Sequence, residues 1–585
     1  MDGARVLVER SLSGKLWLLR PADPAAIQRL AAAGGVPEVV ARMLAVRGIA
    51  PEIVRQFLEP RLSEQLPDPS HLLDMDRAAE RLARAVTGGE TIAVFGDYDV
   101  DGATSAALLQ RFLSAAGATV RVYVPDRLSE GYGPNAPALR RLAEEGATVV
   151  VTVDCGITAH EALAAGAEAG LDAIVVDHHA AGETLPRALA IVNPNRRDEG
   201  SPLKQVAAVG VAFLLAVATN RALRAAGWYA TRPEPDLLGL LDLVALGTVA
   251  DVVPLTGLNR VFVSQGLKVA NAGGNAGLVA LAAVARLAGP IGAYHLGYVL
   301  GPRVNAGGRV GAADLGARLL STDDPVEARS LAERLDGYNR ERQAIEAAVL
   351  EAAQAQVIAA GDRPIAFAAG EGWHPGVIGI VASRLKDKFG RPALVVALDG
   401  AQGKGSGRAD AGFDLGAAVL AARDAGLLVN GGGHPRAAGF TLAADRLGAF
   451  RAFIESQAAD RAPPSAVLDI DGQLSLAAAT PDLVATVERA GPYGTGHREP
   501  RFAFGAVRVA FADVVGSAHV RCTLADSAGV RLSAIAFRAA STPVGAALLD
   551  RAGAALDVSG VLRADTWQGR VRVQLQIDDV AATAG

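Results

Sequence analysis

The sequence predicts an α/β fold built on a parallel sheet, and three observations predict it. Apolar runs of strand length recur at Thr91-Ile92-Ala93-Val94-Phe95, Thr148 to Val153, Ala173-Ile174-Val175-Val176 and Leu246-Gly247-Thr248-Val249-Ala250. Each run leads into acidic residues: Asp97-Tyr98-Asp99-Val100-Asp101-Gly102, Asp154, Asp177-His178-His179 and Asp251. Between the runs lie helix-forming stretches such as Ala103 to Ala116 and Ala159 to Ala169, so strand and crossover helix alternate. Ligands of such sheets sit beyond the carboxyl ends of the strands. Four acidic strand ends and an imidazole are therefore expected to converge on one crevice.

Taken in order, residues 1–70 carry helical patches broken by Pro51, Pro60, Pro67 and Pro69 and read as an N-terminal lead-in. The sheet domain spans 71–323. From 324 to 360 breakers are scarce and Glu327, Ala328, Leu331, Ala332, Leu335, Ile345, Ala348 and Leu350 favour a long helical connector. A second α/β unit, 361–459, follows from the strand-like Pro364 to Ala368 and Ala393 to Ala397 around the helical Val377 to Phe389. Ala462-Pro463-Pro464-Ser465 reads as a linker. Across 465–585 short alternating runs, among them Ala506 to Ala510, Val520 to Leu524, Arg531 to Ile535 and Val571 to Leu575, predict a small β-barrel.

A chain of 585 residues exceeds what a single core usually supports, and at 50% hydrophobic residues it has ample material for several. The formal charge of −5 excludes a protein coated in basic surface, so any nucleic-acid binding rests on particular residues. Cys155 and Cys522, far apart in sequence, do not form a disulfide framework. Met1-Asp2-Gly3-Ala4-Arg5 does not open a signal-peptide pattern, and the apolar run Val206 to Thr219 falls short of the roughly 20 residues that span a bilayer. A soluble, cytoplasmic protein without membrane partners is the expectation.

An aspartate after a strand is most often a helix N-cap or turn residue, and a histidine there most often structural. Co-occurrence changes that balance. Asp97, Asp99 and Asp101 repel one another unless cations hold them, and Mg²⁺ or Mn²⁺ prefers carboxylate oxygens with an occasional imidazole. No Ser-His-Asp or Cys-His arrangement competes; Cys155 reads as a small packing residue. Gly96 and Gly102 lack the G-x-G-x-x-G spacing of a dinucleotide site.

These four acidic motifs, in this order, resemble those of the DHH phosphoesterases. Gly301 to Arg309 (GPRVNAGGR) and Gly431 to Gly439 (GGGHPRAAG) extend the resemblance over nearly the whole chain, toward the bacterial single-strand-specific exonucleases of that superfamily. The resemblance implies a DHH catalytic domain, an auxiliary DHHA1 domain joined to it by a long helix, and a C-terminal OB-fold. It implies two Mn²⁺ or Mg²⁺ ions, with Asp154 as bridge, Asp99 on the first ion, Asp101, His178 and Asp251 on the second, and Asp97 in or beside the first site. His179 is then expected at the scissile phosphate, making Asp154, His178 and His179 the catalytic group. Phe95 departs from the pattern, because some relatives place a histidine ligand there.

For substrate, the resemblance implies 5′→3′ digestion of single-stranded DNA to mononucleotides in repair and recombination, with a single-strand-binding protein and a helicase as candidate partners. Ser406 and Arg408, within Gly403-Lys404-Gly405-Ser406-Gly407-Arg408, are expected to hold the terminal 5′ phosphate, glycines letting backbone amides approach an anion. Arg127, Arg303, Asn305, Arg309 and His434 are candidate contacts to nucleic acid, each with a surface salt bridge or turn as its plain structural alternative. Two other functions remain open at this point: a DHH phosphodiesterase for short oligonucleotides or cyclic dinucleotides, and a catalytically silent DNA-binding scaffold.

Overall fold

Three of the four apolar runs become neighbouring strands of one parallel sheet in the computed structural model, which describes residues 4–126, 129–459, 466–550, 555–567 and 570–583. The strands are β1 (Thr91–Gly96), β2 (Thr119–Tyr123), β3 (Ala147–Val153), β4 (Asp172–Val176) and β5 (Ala190–Val192), in the order β2-β1-β3-β4-β5. Every neighbouring pair is parallel. Strand order reverses between β1 and β3, and this switch point is where an open α/β sheet leaves a crevice for ligands. Asp97 and Asp154 follow these two strands.

The fourth run differs from the sequence expectation. Leu246 to Ala250 ends an α-helix, α3 (Leu241–Ala250), and Asp251 is its C-cap. The helix is buried on nearly every side, from Leu241 through Thr248. Such a helix has no polar face, so its pattern is the continuous apolar run that a buried strand also shows. Helix α1 (Val100–Ala115) starts within the first acidic motif, and α2 (Ala208–Ala225) packs against both α1 and α3. Although α2 is long and apolar enough to cross a membrane, 72% of that stretch is buried among its neighbours.

Beyond α4 (Gly301–Val310), the connector is a single 35-residue helix, α5 (Pro325–Ala359), started by Asp324 accepting from the Val326 amide. It leads to a second sheet of β6 (Ala366–Glu371), β7 (Ala393–Asp399), β8 (Gln402–Arg408), β9 (Asn430–His434) and β10 (Ala437–Ala443), in the order β9-β10-β8-β7-β6. Helix α6 (Ile378–Phe389) packs against β7 and β8. Both sheets and α1–α6 fall in one compact unit, Asp68–Asp251 with Val269–Pro464.

The other unit combines Met1–Pro67, Val252–Lys268 and Ser465–Gly585. Its barrel runs through Phe502–Val515, His519–Ala525, Arg531–Ala536, Arg570–Ala582 and Leu556–Trp567, and the last strand pairs back onto the first. One pairing, Arg531–Ala536 with Arg570–Ala582, is parallel; the other four are antiparallel. This closed five-stranded arrangement is an OB-fold. The lead-in helices share its core: Leu30, Met43 and Leu44 belong to one buried cluster with Phe502, Phe504 and Leu575.

Candidate metal centre

The carboxyl ends of β1, β3 and β4 deliver the acidic residues to one place. Asp99 is the N-cap of α1, its Oδ1 accepting from the Asp101 and Gly102 amides at 2.9 and 3.1 Å. Gly102 lies so close to the preceding turn that a Cβ there would stand 2.5 Å from the Asp97 carbonyl oxygen. Asp154 takes a left-handed conformation, φ 60°, immediately after β3. Strained backbone of this kind is tolerated where a side chain must be aimed. Asp251 arrives from α3, which approaches closely because Gly247 has no side chain: a Cβ there would lie 2.3 Å from Thr104 Oγ1 and 3.0 Å from Asp101 Oδ1.

Three overlapping groups result, each with its donor atoms within 4.8 Å of one another: Asp97, Asp99 and Asp154; Asp101, His178 and Asp251; and Asp154, His178 and His179. His178 Nε2 is 3.3 Å from Asp154 Oδ1, 3.6 Å from Asp251 Oδ2 and 3.9 Å from Asp101 Oδ2. Asp154 thus stands between a purely carboxylate group and a mixed carboxylate–imidazole group. Asp154 Oδ1, His178 Nε2 and Asp251 Oδ2 are buried and accept or donate no hydrogen bond. Buried polar atoms are ordinarily satisfied, and these three converge with geometry that suits a cation. The oxygen-rich, imidazole-poor donor set is that of Mg²⁺ or Mn²⁺.

The electrostatics agree. Burial first, and then neighbouring carboxylates, raise Asp101 to about 7 and Asp251 to about 9, and lift Asp154 well above the usual carboxylate range. So many carboxylates ionise together only if cations compensate them. Asp101 is also tied by the Ala208 and Val209 amides at the start of α2, at 2.7 and 2.9 Å, which fixes its orientation. Burial, then the neighbouring His179, lowers His178 to about 4, so it is neutral and able to ligate.

Asp177 does something that sequence reasoning missed. Its Oδ1 accepts from the His178 and His179 amides at 2.7 and 3.0 Å and meets His179 Nδ1 at 2.7 Å, while Oδ2 accepts from the Ile157 amide at 3.1 Å. With all its capacity used internally, it orients the two histidines. Burial alone would lower His179, but the hydrogen bond and charge of Asp177 outweigh this and raise it to about 9. Asn193 Nδ2 donates to the His179 carbonyl at 3.0 Å and Asn195 Nδ2 to that of His178. Tyr132 donates to the Asp154 carbonyl at 3.1 Å, its ring edge-on to His179. The signal for the asparagines was Asn193-Pro194-Asn195 directly after a short apolar run.

Phe95 supplies no donor: it is fully buried, packed on Tyr123 at 5.2 Å. Cys155 is likewise buried, which pushes its thiol up, as suits a packing residue.

The remaining predicted residues have mixed placements. Arg127 lies outside the described residues. Arg303, Asn305 and Arg309 share α4, whose Gly308 abuts the metal loop: a Cβ there would be 2.7 Å from the Tyr98 carbonyl oxygen. Arg303 pairs with Asp336 at 2.9 Å and donates to the Val299 carbonyl at 2.7 Å. Arg309 Nη1 donates to the Gly376 carbonyl at 2.9 Å. Ser406 and Arg408 lie not in a glycine-rich loop but in β8, paired on both sides by β7 and β10, so the backbone amides are committed to the sheet. Their side chains instead face the start of α6, where a Cβ at Gly379 would be 3.1 Å from both Ser406 Oγ and Arg408 Nη2. Burial lowers Arg408, whose hydrogen bonds go to Ser406 Oγ and the Gly407 carbonyl. His434 ends the edge strand β9, exposed.

Comparison with known proteins follows the same divisions. Residues 91–248 match the DHH family N-terminal domain, 362–460 the DHHA1 domain and 470–579 the RecJ OB domain. The single-stranded-DNA-specific exonuclease RecJ of Dickeya dadantii is 40% identical over 86% of this chain and 89% of its own. That of Bacillus subtilis is 34% identical over 97% of this chain and 71% of its own. The crystal structure of RecJ from Thermus thermophilus in complex with Mn²⁺ superposes with a TM-score of 0.80 at 32% identity, covering 97% of this chain and 80% of that one. A Mg²⁺ complex from the same organism gives 0.76 at 29% identity, covering 97% and 79%.

Proposed function

The chain belongs to the RecJ family of single-stranded-DNA-specific exonucleases, and on that premise we propose that it hydrolyses single-stranded DNA from the 5′ end, releasing mononucleotides in repair and recombination. One observation carries the chemistry: two groups of ligands share Asp154 at the switch point of a parallel sheet. Asp97, Asp99 and Asp154 would hold one Mn²⁺ or Mg²⁺; Asp101, His178 and Asp251, with Asp154 3.3 Å from His178, would hold the other. When bound, such a pair supplies an activated water and charge stabilisation for the attacking and leaving oxygens of a phosphodiester. His179, held by Asp177 at 2.7 Å with its exposed side toward solvent, is the group we assign to the scissile phosphate.

The polarity is supported by a chain of contacts. Tyr98 in the metal loop touches Gly308, Arg309 reaches Gly376, and Gly379 three residues on faces Ser406 and Arg408. A guanidinium, a hydroxyl and the first turn of a helix form an anion pocket there. A strand held in it by its 5′ phosphate presents the adjoining linkage to the metals. Arg303, Asn305 and Arg309 on α4, with His434 and Arg127, belong to the same proposal as contacts to the strand.

A match to the RecJ OB domain over 470–579 weighs against an enzyme confined to dinucleotides, and the complete ligand set weighs against a silent scaffold. Since duplex DNA must be opened before such an enzyme acts, a helicase and a single-strand-binding protein are its expected partners. Matched strands, labelled at either end and carrying a 5′ phosphate or 5′ hydroxyl, test the proposal with Mn²⁺ present. Mononucleotides should leave from the 5′ end of single strands, and duplex of the same sequence should persist. Product accumulating from the 3′ end would overturn the polarity.

A further inference from the structure

Directly ahead of α4 the chain carries two tyrosines without a place in the core. Tyr294 is 66% exposed and Tyr298 75%, their rings stacked on each other at 5.1 Å and 27°. Leaving two aromatic rings in water is unfavourable, and a fixed, exposed pair of this kind marks a binding surface. Its location identifies the ligand. Gly297, between the tyrosines, is pressed against α3: a Cβ there would lie 3.2 Å from Val249 Cγ1. Gly301 is similarly 3.4 Å from the Ala250 Cβ. The next residue along α3 is Asp251 of the metal centre.

From this point α4 runs about 12 Å at the α-helical rise to Gly308 and Arg309, the end that meets Tyr98 and Gly376 on the side of the Ser406–Arg408 pocket. The tyrosines therefore precede the end of α4 that packs beside Asp251, while the metal loop and the terminal-phosphate pocket adjoin its other end. Arg303, one turn further along, is held by the Val299 carbonyl and by Asp336, so the tyrosine rings themselves are the exposed groups at this end.

We infer that Tyr294 and Tyr298 form a stacking platform for a base of the retained strand, on the 3′ side of the scissile linkage. The inference rests on the exonuclease reading above and adds to it the group that grips the strand between successive cuts. Stacking on an aromatic ring needs no particular base, as digestion of any sequence requires.

The test compares wild type with Tyr298→Ala and Tyr294→Ala on 5′-phosphorylated substrates, from a dinucleotide to a long single strand. KM on the long strand should rise by at least about five-fold, the size of one lost base–aromatic contact. The limiting rate and dinucleotide hydrolysis should be unchanged, and Tyr298→Trp should restore KM. Long strands with abasic sites after the first linkages give a second reading: wild type should lose affinity on them as the alanine variants do on intact DNA, and the variants should lose nothing further. A KM on long strands unmoved by both alanine substitutions overturns the platform while leaving the exonuclease standing. An equal loss on the dinucleotide also overturns it, since the tyrosines would then be supporting the metal centre. Wild-type protein that leaves single strands intact overturns both.

Discussion

The metal centre and the Ser406–Arg408 pocket solve opposite electrostatic problems. In the first, carboxylates are crowded together and buried, so their charge must be neutralised: Asp101 and Asp251 are raised to about 7 and about 9. In the second, burial lowers an arginine that has no carboxylate among its hydrogen-bond partners. On the proposed reading each region takes a ligand of the other sign, a cation for one and an anion for the other. A phosphodiester chain bridging them brings phosphate to both. The difference teaches that affinity for the strand's end and chemistry at its linkage are built separately, and substitutions should separate them.

The sharpest break comes from removing the shared ligand. Asp154→Ala takes away the carboxylate common to two ligand groups, and hydrolysis should fall by at least about 10³-fold. Binding to single strands, measured by fluorescence anisotropy, should stay within a few-fold, because most phosphate contacts lie elsewhere. Near wild-type cleavage by this variant would end the shared-ligand assignment.

Arg408→Ala probes the other region and should act more gently. Losing a charge-assisted hydrogen bond to a phosphate costs roughly 1.5–3 kcal/mol, or about ten-fold or more in affinity. The loss should appear on 5′-phosphorylated ends and be much smaller on 5′-hydroxyl ends, with the limiting rate little changed. If both ends suffer equally, Arg408 is not reading the terminal phosphate.

How legible each region was in sequence follows from how it is assembled. The proposed ligands Asp97, Asp99, Asp101, Asp154 and His178 sit in short motifs directly after strands, so the apolar runs alone point to them. Asp251, which the structure places beside Asp101 and His178, was picked out by the same rule for a wrong local reason, since its apolar run is a helix buried all round. Asp177 was hidden because its role is set by three amides and an imidazole, which no spacing reveals. Ser406 and Arg408 looked like a glycine-rich loop. Gly403, Gly405 and Gly407 instead let large neighbours close over β8: Cβ atoms there would strike Val396, Phe440 and Leu415 at 2.9, 2.0 and 2.7 Å. The pairing of Arg303 with Asp336, 33 residues away, was equally invisible. So was the union of Met43 and Leu44 with Phe502 and Phe504 in one core, which means that cutting the chain after 459 would expose buried surface on the lead-in rather than cleanly remove a barrel.

The smallest expected effect distinguishes the two regions without DNA. A carboxyl whose folded-state pKa is raised stays protonated in the folded protein at pH values where the unfolded chain has already ionised. The stability tied to that proton is complete below the ordinary carboxylate pKa near 4 and is lost as pH climbs through the folded values, about 7 for Asp101 and about 9 for Asp251. Metal-free protein in chelator should therefore melt progressively earlier between pH 5 and pH 9, by a few degrees at roughly 2–4 °C per kcal/mol. Mn²⁺ favours the ionised carboxylates and should raise Tm most at the alkaline end, where its ligands carry no protons to displace. Asp251→Asn should flatten the pH dependence in chelator, whereas Arg408→Ala, far from these carboxyls in its chemistry, should leave the slope intact. Scanning calorimetry at several pH values reads all three. A Tm independent of pH in chelator, with an Mn²⁺ shift equal at both ends of the range, would show that the carboxylates are not compressed against one another and that the contrast between the two regions is not electrostatic.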